Sequence, residues 1–375
     1  MKQRIYLSPP HMGNQELEYI QHAFDSNWIS PYGENIDKFE ELLTDFTGSK
    51  YCIALNSGTS ALHLALLSLG IGHGDTVLCS SFTFAASVNP IIYLNATPIF
   101  VGSNQETWNM DPEALHNAIK ASIHIGKKPK AIVVVHLYGM PAQMNEILEI
   151  AGKYDIPIVE DAAESLGSTY KGKITGTLGK AGFFSFNGNK IISTSSGGAL
   201  ITDDQNLASK VRFYAAQARE NTLHYEHRDV GYNYRMSNVL AGIGRGQMNV
   251  LSERIAQRRK VFDNYYNQLS KFQFLNFLKE PDGFFCNRWL TCILIDENMY
   301  DKTALGLVRF LEKHNIESRP LWKPLHLQPA YNNYSYYGAK IEERMFANGV
   351  CLPSGSNLNE DDQNRIIQLI GQYFY

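Results

Sequence analysis

The sequence predicts an α/β protein with a mostly parallel sheet in a large domain and a smaller α+β domain after it. Three observations predict this. Short apolar runs alternate with helix-patterned stretches through the centre of the chain, as in strands joined by helices that cross back over a sheet. A helical stretch from about Ser237 to about Ser270 has few breakers and leads out of that alternation. Finally, 375 residues, 44% hydrophobic and 19% charged, exceed what most single cores hold and supply ample core material. The expected division is 1–240 and 241–375.

Taken in order, Asn14 can cap a first helix with Leu17, Ile20 and Phe24 on one face, and a second carries Ile36, Phe39, Leu43 and Phe46. A third follows the Asn56–Thr59 turn, with Leu62, Ala65, Leu66 and Leu69 at helical spacing and Gly70 and Gly72 punctuating its end. Thr76–Cys79, Pro98–Val101, Ala131–Val135, Ile156–Glu160, Gly182–Phe186 and Ala199–Thr202 are short apolar runs suited to strands buried on both faces. Asp111-Pro112 opens a helix, with the carboxylate as cap and proline in the first turn. Another helix lies near Ala142–Lys153, between two of the strands. The C-terminal domain is expected to be built from Trp289–Ile295, Lys302–His314 and Glu360–Phe374.

Composition narrows the function. A net charge of −3 argues against a dedicated nucleic-acid surface. The richest basic stretch, Glu253 to Lys260, reads as a helix surface. No apolar run is long enough to cross a bilayer, and Met-Lys-Gln-Arg is not followed by an apolar signal segment, so a cytoplasmic protein is expected. The five cysteines (52, 79, 286, 292 and 351) are scattered without a C-x-x-C pair, which points to buried thiols rather than disulfides or zinc. Neither G-x-x-x-x-G-K-[ST] nor a G-x-G-x-x-G after a strand occurs, so nucleotide hydrolysis and dinucleotide binding are poorly supported.

The chemistry centres on Lys190, in Phe184-Ser185-Phe186-Asn187-Gly188-Asn189-Lys190. Alone it reads as a solvated loop lysine. Asp161 changes that, because it ends a second apolar run. An amine able to form a Schiff base and a carboxylate able to hold a pyridinium nitrogen are the two protein groups that pyridoxal phosphate needs. Asn56-Ser57-Gly58-Thr59-Ser60, where a loop enters a helix, supplies a phosphate cradle, since helix N-termini present free N–H groups and Gly58 allows close approach. By itself the same string reads as an ordinary N-cap. His136, at the end of a strand, reads equally as a site residue and as a satisfied core histidine.

Seven short strings in one order carry a resemblance. They are Asn56–Thr59, Ser81–Phe84, His136–Gly139, Glu160–Glu164, Ser185–Lys190, Gly231–Met236 and Arg319–His326. The chain resembles the DegT/DnrJ/EryC1/StrS sugar aminotransferases, a branch of the fold-type I (aspartate-aminotransferase-like) pyridoxal phosphate enzymes, nearly end to end. Within that family, Leu7–Gly13, Asn187–Lys190 and Leu223–His227 are similar to the 4-aminotransferase of the bacillosamine pathway, which acts on a UDP-linked 4-keto-6-deoxy-N-acetylglucosamine. The resemblance implies that Lys190 links the cofactor and that Asp161 holds its ring nitrogen. It places Phe84 over the ring, Gly58, Thr59 and Ser185 on the phosphate, and Glu164 near the phenolic oxygen, where many relatives carry Gln or His. Asn233 would reach the phosphate from the second subunit of a homodimer. Ser30, Arg319, Lys323 and His326 are substrate-side candidates, each equally a surface or core residue. The implied partners are L-glutamate and a UDP-ketosugar. Some relatives are dehydratases in which histidine replaces the lysine, and Lys190 argues against that. Lys190, Asp161, Ser185 and Asn233 together argue against a non-catalytic regulator.

Overall fold

The computed structural model describes residues 3–296, 298–299 and 302–375. Its large sheet is made of β1 (Tyr51–Leu55), β2 (Thr76–Ser80), β3 (Thr97–Val101), β4 (Ala131–Val135), β5 (Ile158–Asp161), β6 (Ala181–Ser185), β7 (Gly198–Thr202) and β8 (Tyr336–Tyr337). The order is β1-β7-β6-β5-β4-β2-β3-β8, and every pairing is parallel except the two made by β7. Successive residues of a strand point to opposite faces. Val77, Cys79, Val133 and Val159 accordingly enter one hydrophobic layer, while Leu78, Ile132, Val134 and Ile158 enter another. Both faces are covered, which is why these strands read as continuous apolar runs.

Helices α1 (Glu16–Asp25) and α2 (Glu34–Thr47) precede the sheet, α2 packing with Cys52, Ala54 and Phe184 on one face, while α3 (Gly58–Ser68) packs with Ile53, Leu55 and Phe183 on the other. The long α4 (Asn238–Leu269) starts at the cap Ser237, whose side chain accepts the Leu240 N–H. The smaller sheet pairs Leu275–Phe277, Thr291–Ile295, Gly349–Leu352 and Arg319–Pro320 in that order, all antiparallel. It packs with the helices Ala304–Lys313 and Glu360–Phe374 around Phe262, Tyr265, Ile293, Leu307 and Ile366. Two segments are exchanged between the halves. Ile5 joins this smaller core and bridges to Ile316, whereas β8 returns to the large sheet beside β3.

Two expectations are corrected. In α1 the N-cap is Gln15, and Asn14 precedes it in the left-handed region at φ 83°. The buried face carries Glu16 and Ala23, while Leu17 and Phe24 are 78% and 58% exposed. The reason is polar: the Glu16 carboxylate accepts the Gly13 N–H and the Gln247 Nε2–H, both at 2.6 Å, which turns that face toward α4. The basic stretch of α4 is also no free surface. Arg254 and Arg258 are only 4% and 1% exposed, because the N-terminal arm and the main chain at Trp289, just before a strand of the smaller sheet, pack over them.

His136 is a core histidine. Its Nδ1 accepts the Ala142 N–H at 3.0 Å, so the proton sits on Nε2 and is donated to Glu160 Oε2 at 2.8 Å, with both side chains fully buried. The Glu160 oxygens also accept the N–H groups of Gly176, Leu178 and Gly179. This knot ties the end of β4 to the turn before β6. Replacing His136 with leucine leaves the Ala142 N–H unpaired and Glu160 short of a donor. The expected loss is roughly 3 kcal/mol of unfolding free energy, read by urea denaturation of the cofactor-free chain. A loss near zero would show that the knot carries no stability.

Candidate active site

The carboxyl ends of β2, β4, β5 and β6 and the start of α3 open onto one cavity of about 220 Å³. Ligands gather at such strand ends in open α/β sheets. Gly58, Thr59, Phe84, Asp161, Glu164, Ser185 and Lys190 line it, joined by Thr83, Ser87, Asn189, Trp289 and Trp322.

Asp161 ends β5 and is buried. Its Oδ2 accepts the Ser87 hydroxyl at 2.6 Å, and its Oδ1 accepts the Ala163 N–H at 3.1 Å. Ser87 is held in turn by the Thr83 hydroxyl at 2.9 Å. Burial pushes the Asp161 carboxyl above the usual range, opposed by the Ser87 and Ala163 hydrogen bonds and, from farther away, by the Lys190 charge. Among the described residues no cation lies within ion-pair distance of it.

Lys190 places its ammonium 4.1 Å from the centre of the Trp289 ring and 3.5 Å from Glu164 Oε1. The other Glu164 oxygen accepts the Tyr138 N–H at 2.7 Å. Tyr138 can aim that N–H inward because its backbone is left-handed, at φ 54°. The Tyr138 ring lies stacked near both Trp289 and Trp322, and its hydroxyl accepts the Trp322 N–H at 2.8 Å. Burial raises the Glu164 carboxyl too, and the Lys190 charge partly offsets the rise.

At the other end, Ser57 caps α3 by accepting the Ser60 N–H. A Cβ on Gly198 would collide with the main chain at Ser57 and Gly58, and one on Gly58 would come 3.2 Å from Ser185 Cβ. The glycines thus keep a cradle open between the helix start and Ser185. A protonated ring nitrogen would balance the isolated Asp161 carboxylate, the α3 N-terminus suits a phosphate, and Lys190 supplies the amine. These residues fit pyridoxal phosphate.

Phe84 is 55% exposed at the rim, with its ring 5.5 Å from that of Trp322. Asn233 is exposed and lies outside the cavity of its own chain. So do the substrate-side candidates. Ser30 is exposed, Arg319 is held by Glu317 at 2.9 Å, and Lys323 is half-buried. His326 is engaged elsewhere, with Ser81 Oγ 2.6 Å from Nδ1, Glu343 Oε1 3.1 Å from Nε2, and the Tyr336 ring stacked on it. Sequence reasoning missed Ser87, Trp289 and Trp322 as site residues. Trp322 sat inside a recognised string, but nothing local marked the other two.

The DegT/DnrJ/EryC1/StrS aminotransferase family profile matches residues 10–371. EpsN of Bacillus subtilis, provisionally named a pyridoxal phosphate-dependent aminotransferase, is 47% identical over 100% of this chain and 97% of its own length. The GDP-perosamine synthase of Caulobacter vibrioides is 37% identical over 98% of each chain. A DegT/DnrJ/EryC1/StrS aminotransferase structure from Brucella abortus superposes with a TM-score of 0.90 at 30% identity, covering 96% of this chain and 95% of that one.

The Asp161 environment makes a pH prediction. A carboxyl whose folded pKa is raised contributes stability that is complete below its unfolded pKa and is lost as pH rises through the folded value. Asparagine does not titrate. In thermal melts of the cofactor-free chain, Asp161→Asn should gain on the parent protein as pH rises from about 4 to 7. A difference that is flat or shrinks over that range would contradict the burial of an unbalanced charge.

Proposed function

The chain belongs to the DegT/DnrJ/EryC1/StrS aminotransferase family, and we propose that it moves the amino group of L-glutamate to C4 of a UDP-linked 4-keto-6-deoxy-N-acetylhexosamine. Family membership makes it a pyridoxal phosphate-dependent sugar aminotransferase. The nucleotide, the ring carbon, the donor, a homodimer and a cytoplasmic setting are the finer parts of the proposal.

Pyridoxal phosphate, when bound, supplies the electrophilic carbon and the electron sink that amino transfer requires. The chain's own residues do the rest. Gly58, Thr59 and Ser185 would hold the phosphate end. Asp161, fixed by Ser87 and Ala163, would keep the proton on the ring nitrogen. Among the described residues Lys190 Nζ is the one amine lining the cavity, and it is the group placed to take and return a proton. Glu164 sits beside it and, through the Tyr138 N–H, keeps one oxygen occupied while the other faces the amine. The buried Trp289 ring lies against the amine on one side.

The observation that carries the acceptor reading is the meeting of two of the three strings similar to the bacillosamine-pathway enzyme. In the arm Leu7–Gly13, Ser8 donates its hydroxyl to the Asn189 carbonyl at 2.8 Å, one residue before Lys190. The third string, Leu223–His227, lies on an exposed loop, with Leu223 and Tyr225 open to solvent. The C. vibrioides relative makes a GDP-linked acceptor the second reading. A panel of UDP-, GDP- and dTDP-linked 4-keto and 3-keto sugars with glutamate, products identified by NMR, tests this. The UDP 4-keto N-acetyl sugar should be preferred by at least tenfold in kcat/KM, a difference of about 1.4 kcal/mol. Preference for a GDP-linked or 3-keto acceptor would overturn it.

Shared sites are supported by the exposed Asn233 and by a run of exposed apolar side chains, Met12, Leu17, Phe24, Trp28, Ile29 and Tyr32, in the N-terminal segment. If Asn233 serves the second subunit's site, Lys190→Ala and Asn233→Asp chains should each be nearly inactive alone. Co-refolding them at equal amounts gives about half mixed dimers, each with one intact site, hence about a quarter of wild-type activity. No recovery in verified mixed dimers would place Asn233 elsewhere.

A further inference from the structure

Arg258 is the most deeply buried cation of α4, at 1% exposure, and among the described residues it has no carboxylate partner. The charge that bears on it is another arginine, Arg254, and burial together with that charge lowers its pKa to about 9. Isolated buried charges are costly, and they persist where hydrogen bonds hold them in a defined place. Here the acceptors come from four separate segments. Nη1 donates to the carbonyls of Trp289 at 2.6 Å and Ser354 at 3.2 Å. Nη2 donates to Ser8 Oγ at 3.0 Å and lies 3.5 Å from the Lys190 carbonyl.

Those contacts converge on the lysine turn. The Asn189 carbonyl accepts both the Ser8 hydroxyl at 2.8 Å and the Trp289 Nε1–H at 2.6 Å. Trp289 is also the ring on which the Lys190 ammonium rests. One guanidinium therefore reaches the main chain of Lys190, the main chain of the tryptophan whose ring lies under its amine, and the serine that braces the preceding carbonyl. A planar fork reaches such divergent acceptors at once, which the point charge of lysine does not.

We propose that Arg258 is a positioning residue for Lys190: through Ser8, Trp289 and the lysine's own carbonyl it sets where the amine sits in the cavity. This rests on the reading of Lys190 as the cofactor-linking, proton-moving group.

The test uses full-length Arg258→Lys and Ser8→Ala chains, with Lys190→Ala as control. Three quantities are read: the rate at which the cofactor-free chain captures added pyridoxal phosphate, followed by the visible band and borohydride trapping at Lys190; kcat and KM of the glutamate half-reaction; and the effect of deuterium at the glutamate α-carbon. Displacing a reacting group by about 1 Å can cost on the order of a hundredfold. In Arg258→Lys, capture and kcat should fall about tenfold to a hundredfold, KM should stay within about threefold, and the isotope effect should rise as proton transfer becomes limiting. Ser8→Ala should move all three the same way by less. It carries the test alone if Arg258→Lys does not fold. A kcat that falls only in proportion to lost cofactor, with an unchanged isotope effect, would make Arg258 merely structural and overturn the proposal. Unchanged capture and kcat in a folded variant would do the same. Full capture or turnover by Lys190→Ala would instead remove the reading of Lys190 itself.

Discussion

The site depends on an imbalance of buried charge. Asp161 and Glu164 stand at or just beyond the end of one strand, both buried and both with carboxyl groups that resist ionisation. One cavity-lining amine, on Lys190, lies close to Glu164 and offers Asp161 only a distant charge. A hydroxyl and a backbone N–H fix the orientation of Asp161 without neutralising it. A protein that folds around such a carboxylate keeps a place for a cation that it does not itself supply. A protonated pyridine ring would meet that requirement, and the start of α3 would suit a phosphate at the far end of the same molecule.

The fold makes this arrangement possible by bringing parallel strand ends to one edge. β5 and β6 are neighbours in register, so Asp161 and Ser185 share that edge, while the loop after β2 returns Thr83 and Ser87 to it. Among the described residues no strand pairs with the lysine turn. It is braced by the N-terminal arm, by Trp289 just before a strand of the smaller sheet and by Arg258 on the long helix. Precision at the amine therefore depends on packing between the halves of the chain, whereas precision at the carboxylate is set within one sheet.

That difference accounts for what the sequence discloses. Strands β2 to β7 are legible because burial on both faces leaves uninterrupted apolar runs. β1 escapes notice because Cys52 and Ala54 in a five-residue run carry little strand preference. Asp161, Ser185, Gly58 and Thr59 are legible because they stand where a strand ends or a helix begins. α1 misleads because Glu16 outcompetes Leu17 and Phe24 for the interior through hydrogen bonds to residues that local periodicity does not see. Arg258 is hidden for the same reason. It lies in a charged helical run, and its burial is decided by Ser8, Trp289 and Ser354, each distant in sequence. The placement of Ser30, Arg319, Lys323 and His326 outside the cavity depends likewise on loops and side-chain partners that short strings do not encode.

Whether Asp161 keeps the cofactor's ring nitrogen protonated can be observed directly. The chain reconstituted with pyridoxal phosphate labelled with nitrogen-15 in the ring would be followed by NMR across the pH range in which free cofactor loses its ring proton. A protonated nitrogen signal should persist beyond the point where the free cofactor has become neutral, and it should be lost in Asp161→Asn. A neutral pyridine signal in the wild-type protein near pH 7 would contradict it.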